Sequence, residues 1–185
     1  MTDLLKNISK ENIQEVLNSS NWGKILEYNK SNLDLIHQNN LSSKLKKIEK
    51  LIYACTCDNS WMGECAKYHL QTGGKRFRAS LAIISGEVLH FDEEISLYVA
   101  ASCELIHNAS LIHDDLQDRD LLRRGKPTIW SRFGDASAIN LGDHFISNAF
   151  QILSNAPANP EMKCAAINEL SLSLIHISEP TRQSL

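Results

Sequence analysis

From Ser43 onward the apolar residues return at the spacing of helix faces. Leu45, Ile48, Leu51 and Ile52 recur at helical intervals with Lys and Glu between them, which predicts a helix with one buried side. A second helix is expected over residues 61–71, halted by Gly73-Gly74. A third is expected over 77–91, with Leu81, Ile84, Val88 and Leu89 along one side. A fourth begins at Asp92-Glu93-Glu94, acidic residues that suit a helix N-terminus. It continues through Val99, Leu105, Ile106 and Leu111 into a cluster of aspartates, and its apolar residues nearly encircle it, so it is expected at the centre of the fold.

A loop is expected over 119–127, punctuated by Gly125 and Pro127. Another helix is expected over 136–153, and beyond the breakers Pro157 and Pro160 a last segment over 161–170. Ahead of Ser43 the chain is polar and rich in Asn, Ser and Lys. Weak helical patterns lie at 4–17 and 24–37, with loops at 18–21 and 39–43. The expectation is an all-α chain with a polar helical extension over 1–42, a domain over 43–171 and a distinct tail over 172–185.

Composition narrows the class. A length of 185 residues fits one domain. Four Pro and eight Gly are few for a chain built of turns and strands. A net charge of −3 gives no global reason to expect nucleic acid as a partner. Five Cys is an odd number, and Cys55 and Cys57 form C-x-C with no matching His/Cys cluster. They are read as thiols of a reducing compartment rather than a zinc site. Residues 1–15 mix both charges and lack the apolar core of a secretory signal, and no run approaches the ~20 apolar residues of a membrane span. A cytoplasmic location is expected.

The central helix ends in His113-Asp114-Asp115-Leu116-Gln117-Asp118. Asp114 and Asp118 are four apart and share a helix face. Two carboxylates so placed repel unless a cation sits between them. Magnesium takes one or two carboxylates and completes its shell with water and phosphate oxygens. By itself the motif divides between a metal–diphosphate clamp and a solvated acidic helix end. Two basic clusters shift the balance: Gly73-Gly74-Lys75-Arg76-Phe77-Arg78, opening the third helix, and Arg123-Arg124-Gly125-Lys126 in the following loop. A helix N-terminus is already an anion site, and Lys75 and Arg78, three apart, can reach one diphosphate. A substrate pair carrying two diphosphates accounts for all three clusters together.

At these residues the sequence resembles the trans-isoprenyl diphosphate synthases of the polyprenyl synthase family. The matching pieces are Gly73 to Arg78, His113 to Asp118, Leu122 to Thr128, and Phe133-Gly134 through Gly142-Asp143. The resemblance implies the isoprenoid synthase fold, all-α with long helices around a deep apolar pocket, and a homodimer. It implies that Lys75, Arg78, His107 and Arg124 hold isopentenyl diphosphate. Asp114 and Asp118 would bind Mg2+ on the allylic diphosphate, with Arg123 on the same substrate, so that Asp114, Asp118, Arg123 and Lys75 carry catalysis. His107 precedes Asp114 by seven residues, two turns along one face, so the spacing allows this. In this family, bulky residues just before the acidic motif close the pocket floor. The small Ala109 and Ser110, five and four residues before Asp114, therefore imply a product of geranylgeranyl length or longer. A terpene cyclase would not need the cluster at Gly74 to Arg78. A non-catalytic subunit of a heteromer would not need Asp114, Asp118, Arg123 and Arg124 intact. A metal phosphohydrolase would need further spaced His/Asp ligands.

The family pattern also implies a second aspartate-rich motif beyond Gly142-Asp143. After Asp143 the acidic residues are Glu161, Glu169 and Glu179. The stretch from Leu172 to Arg182 reads as the translation of a transposase adapter used in sequencing libraries, so His176 is given no functional role. The expectation is the N-terminal part of the enzyme, inactive by itself. Resequencing of the locus tests the adapter reading; a natural frame encoding the same tail would refute it.

Overall fold

The computed structural model describes residues 38–178, with side chains described for 40–173. The chain divides into units of residues 1–42 and 43–185. The patterns expected at 4–17, 18–21 and 24–37 lie outside the described residues. Seven helices are present among the described residues: α1 (Gln38–Thr56), α2 (Trp61–Leu70), α3 (Phe77–Val88), α4 (Glu93–Gln117), α5 (Ile129–Phe133), α6 (Asp135–Ser154) and α7 (Pro160–Ser178). The all-helical expectation holds, apart from a two-stranded hairpin, β1 (Leu122–Arg123) and β2 (Lys126–Pro127), between α4 and α5.

Helix α4 is the centre of the fold. It packs most extensively on α6, then on α3, and also touches α5 and α7. Leu105, Ile112, Leu141, Phe145 and Ile152 on the α4 and α6 faces are fully buried. Ser102 Oγ donates across this seam to the Ala149 carbonyl at 3.0 Å. Asp92 caps the start of α4, accepting from the backbone N–H groups of Glu94 and Ile95 at 2.8 and 3.2 Å. Glu93 and Glu94 fill its first turn, where carboxylates meet the positive end of the helix dipole.

Several boundaries differ from the sequence expectation. Residues 39–43, expected as a loop, are helical within α1. The weak helix formers there are carried by the packing that follows: Ile48 and Ile52 are buried, and Lys44 bonds Glu87 at 2.6 Å and Glu93 at 3.2 Å. Tertiary anchoring of one face outweighs local propensity. Helix α3 stops at Val88 rather than reaching residue 91. His90 takes a left-handed φ of 55°, while the N–H of Phe91 reaches the Gly86 carbonyl and that of His90 the Glu87 carbonyl; this is a Schellman stop. Helix α7 runs past residue 170 to Ser178. The short α5 was not expected. Finally, α4 is long and apolar enough to cross a membrane by length and composition, contrary to the reading that no run approaches that length. Most of that stretch is buried inside the protein, as in a core helix.

Candidate active site

Helix α4 sorts the functional side chains onto three faces. At about 100° per residue, Ser102, Ile106, Ala109 and His113 form one stripe. Ser102 bonds Ala149 of α6, and His113 lies so close to Gly142 of α6 that a Cβ there would overlap its ring. This stripe is the α6 seam. Glu104, Asn108 and Asp115 form a second stripe, all three buried. Cys103, His107, Ser110, Leu111, Asp114 and Asp118 form a third, which is half-buried to exposed. The third is the open face, and it carries the acidic motif and the histidine together.

The end of α4 explains how an acidic cluster survives at the negative end of a helix dipole. Arg119 takes a left-handed φ of 57°. The N–H of Asp120 reaches the Asp115 carbonyl at 3.0 Å and that of Arg119 the Leu116 carbonyl at 3.4 Å, so this too is a Schellman stop. The chain then reverses into the β1–β2 hairpin. Its two turn residues, Arg124 and Gly125, have φ of 52° and 76°, as a type I′ turn requires. The hairpin is tied down on both sides. Tyr68 Oη donates to the Pro127 carbonyl at 2.8 Å and Lys126 Nζ to the Gln71 carbonyl at 3.2 Å. Arg119 pairs with Asp135 at 2.9 and 3.0 Å and lies over the Trp130 ring.

This turn sends two consecutive arginines in different directions. The Arg123 guanidinium grips Asp115, with Nε 2.8 Å from both carboxylate oxygens and a terminal nitrogen 2.6 Å from one. The Arg124 guanidinium packs on the backbone of Gly74, where a Cβ would fall 2.9 Å from one of its nitrogens. The second basic cluster therefore meets the first at Gly74. On the other side of the loop, Arg78 donates to His107 Nε2 at 3.1 Å. Burial, and then the Arg78 charge, hold the His107 imidazole below its ordinary pKa, so the ring is neutral and accepts from Arg78 through Nε2. Lys75 is exposed.

The structure thus brings Arg78 to His107, Arg124 to Gly74 and Arg123 to Asp115, all around α4. Asp114 and Asp118 are exposed and make no side-chain hydrogen bond or ion pair among the described residues. Burial raises the Asp114 carboxyl above its usual range, and the Asp118 carboxylate raises it further. Two unpaired carboxylates that repel across one helical turn are a donor set for a hard cation. Among the described residues no cluster of three His, Cys, Asp or Glu side chains forms a complete cage. A cation here would draw its remaining ligands from water and from a phosphate-bearing substrate, which is how magnesium binds.

Two roles were missed in the sequence. Asp115, the middle acid of the motif, is the buried partner of Arg123. Its spacing of seven from Asn108 and eleven from Glu104 puts it on one helix face with two residues that are also buried, a signal that could have found it. Arg76, grouped with the basic cluster, turns inward to Glu49 and Glu104 at 3.2 and 3.3 Å. The residues expected to set product length separate: Ala109 is buried on the α6 seam, whereas Ser110 lies on the open face with its hydroxyl bonded to the His107 carbonyl.

Residues 59–179 match the Polyprenyl synthetase family, and the chain belongs to that family. The match overlaps the expected 43–171 domain without coinciding with it at either end. Over 134 residues the chain is 35% identical to a geranylgeranyl pyrophosphate synthase of Geoglobus acetivorans, covering 72% of this chain and 41% of that protein. Over 116 residues it is 44% identical to a farnesyl diphosphate synthase of Haemophilus influenzae, covering 61% and 39%. The solved structure of the geranylgeranyl pyrophosphate synthetase from Geoglobus acetivorans superposes with a TM-score of 0.68 at 32% identity, covering 77% of this chain and 46% of that one. The chain therefore spans less than half the length of these relatives.

Proposed function

We propose that this chain carries the first diphosphate-binding half of a trans-prenyltransferase that condenses an allylic diphosphate with isopentenyl diphosphate. The observation that carries the reading is the division of charge on α4: Asp115 is occupied by Arg123, while Asp114 and Asp118 stay free beside an assembled basic rim. Asp114 and Asp118 would hold magnesium, which when bound supplies positive charge against the leaving diphosphate. Arg123, fixed by Asp115, adds a second preorganised charge to the same group. Lys75, Arg78, His107 and Arg124 would hold isopentenyl diphosphate. In the reaction the allylic C–O bond breaks and its electron pair leaves with the diphosphate. The isopentenyl double bond then forms the new C–C bond, and a proton is lost.

Relatives named for both farnesyl and geranylgeranyl products match this chain. Our proposal of a product of geranylgeranyl length or longer is supported by the small Ser110 on the open face. The functional test incubates the full-length protein with magnesium, isopentenyl diphosphate and an allylic diphosphate and identifies the products. Condensation that is lost in Asp114→Asn and Asp118→Asn is expected. Hydrolysis or cyclisation of the allylic substrate without consumption of isopentenyl diphosphate would replace this reading with that of a cyclase.

A further inference from the structure

Arg76 differs from its neighbours. Lys75, Phe77 and Arg78 are exposed, but the Arg76 side chain is only 12% exposed. Its Nε donates to Glu49 on α1 at 3.2 Å, and a terminal nitrogen donates to Glu104 on α4 at 3.3 Å. The Glu104 carboxylate is buried, with its second oxygen lacking a hydrogen-bond partner among the described residues. Behind it, Asn108 Nδ2 donates to the Glu104 carbonyl at 2.7 Å, and Asn108 Oδ1 meets His69 Nε2 of α2 at 3.0 Å. A polar chain thus runs from the half-exposed Glu49 of α1 through Arg76 to the buried Glu104 and Asn108 of α4 and His69 of α2.

The backbone at Arg76 is equally unusual. It is the N-cap of α3, with a left-handed φ of 49° and no side-chain cap. A non-glycine residue holds that conformation only where its surroundings over-determine it. Asn, Asp or Gly at this place would reach the same backbone with less strain; His90, Arg119 and Arg124 take left-handed φ in helix stops and a hairpin turn, whereas Arg76 does so at a helix start, with its side chain paired to two carboxylates. The carbonyl of Arg76 accepts from the N–H and the hydroxyl of Ser80, both at 2.9 Å. The first turn of α3, which carries Arg78, is therefore built on the residue that Glu104 anchors.

We infer that Arg76 and Glu104 form a positioning pair: the buried Glu104 carboxylate holds the left-handed turn at Arg76, and so sets Lys75 and Arg78 at a fixed distance from His107, Asp114 and Asp118 on the same helix. Arg76 is assigned no substrate contact: its guanidinium is directed to Glu49 and to the buried Glu104, off the open face of α4. The anchoring ties both proposed diphosphate subsites to α4, three residues and ten residues downstream of Glu104 respectively. The role as a site for isopentenyl diphosphate rests on the function proposed above, whereas the anchoring itself does not.

The test is amide hydrogen exchange on this chain, followed by titration with isopentenyl diphosphate. Glu104→Gln keeps the shape and removes the charge. Arg76→Gly relieves the left-handed strain and removes the guanidinium. Both are expected to speed exchange in the first turn of α3, at Ser80 and its neighbours, by about tenfold, while amides of α6 are unchanged. No local change, or equal acceleration through α6, overturns the inference, because the pair would then be inert or merely part of the core. An Arg76→Gly protein that exchanges like the parent would show that backbone shape alone suffices and would likewise overturn it. If Glu104→Gln does not fold, Arg76→Gly and Arg76→Lys decide. In the titration, both variants are expected to bind about tenfold more weakly than the parent; equal binding overturns the positioning role. The titration uses the full-length protein; absence of binding by that parent overturns the functional reading, and the exchange result then decides the anchoring on its own.

Discussion

Asp115 and Arg123 hold each other through three contacts of 2.6–2.8 Å, with the Asp115 side chain 4% and that of Arg123 26% exposed. The carboxylate in the middle of the acidic motif thus faces into the protein, and the two flanking ones face out. Removing one partner of a fully buried pair costs roughly 3–5 kcal/mol because the other charge is left uncompensated. Arg123 is partly solvated, so Asp115→Asn is expected to cost less, about 2 kcal/mol, in chemical denaturation. Asp114→Asn and Asp118→Asn, which break no pair, are expected to leave stability unchanged or raise it by relieving repulsion. A cost for Asp118→Asn equal to that for Asp115→Asn would contradict the division of roles.

His69 supplies a pH signature. It is 5% exposed, and burial lowers its pKa from 6.5 to about 4, against the opposing hydrogen bond that its Nε2 donates to Asn108 Oδ1. The unfolded chain therefore binds a proton between these values that the folded chain does not. Stability from this group is complete above pH 6.5 and is lost as pH falls toward 4. A shift of this size corresponds to about 3 kcal/mol as an order of magnitude. Denaturation at pH 7 and pH 4.5 is expected to show a drop that is smaller in His69→Gln. An NMR titration placing the His69 midpoint near 6.5 would remove the basis for this expectation.

Gly142 is where α6 passes His113. A Cβ at this position would overlap the imidazole, and His113 also bonds the Ile139 carbonyl at 3.4 Å. Gly142→Ala is expected to destabilise by about 1–3 kcal/mol through overpacking. His113→Ala should recover most of that loss in the double variant, as coupling between contacting residues requires. Purely additive losses would show that the ring is not the obstacle.

Ala109 and Ser110 are adjacent but face different surroundings. Ala109→Phe places a ring in the α4–α6 seam and is expected to lower the melting temperature with no clean shortening of product. Ser110→Phe places it on the open face and is expected to shorten the product in the condensation assay while the fold persists. The reverse pattern would assign the length-determining role to Ala109.

Much of this protein could be read along the chain. The alternation of apolar and polar residues identified the central helix, and its all-round hydrophobicity placed it at the core, where Leu105 and Ile112 lie fully buried. The motifs from Gly73 to Arg78, from His113 to Asp118 and at Arg123-Arg124 marked charged residues that the fold gathers around the central helix, because residue type and local spacing are legible before any tertiary contact forms.

Sequence alone determined the family, the residue types of the site and the face shared by Asp114 and Asp118, since each of these depends on composition and local spacing. Only the tertiary structure decided which charges are free to act. Arg76 and Arg78 look equivalent in the chain, yet one is buried against Glu104 and the other meets His107. Asp114 and Asp115 are neighbours, yet one is exposed and the other is taken by Arg123. Successive residues on a helix point about 100° apart, and the partner each meets comes from a segment distant in sequence. The acidic motif is therefore two outward carboxylates held in place around one inward anchor, a distinction set by long-range contacts.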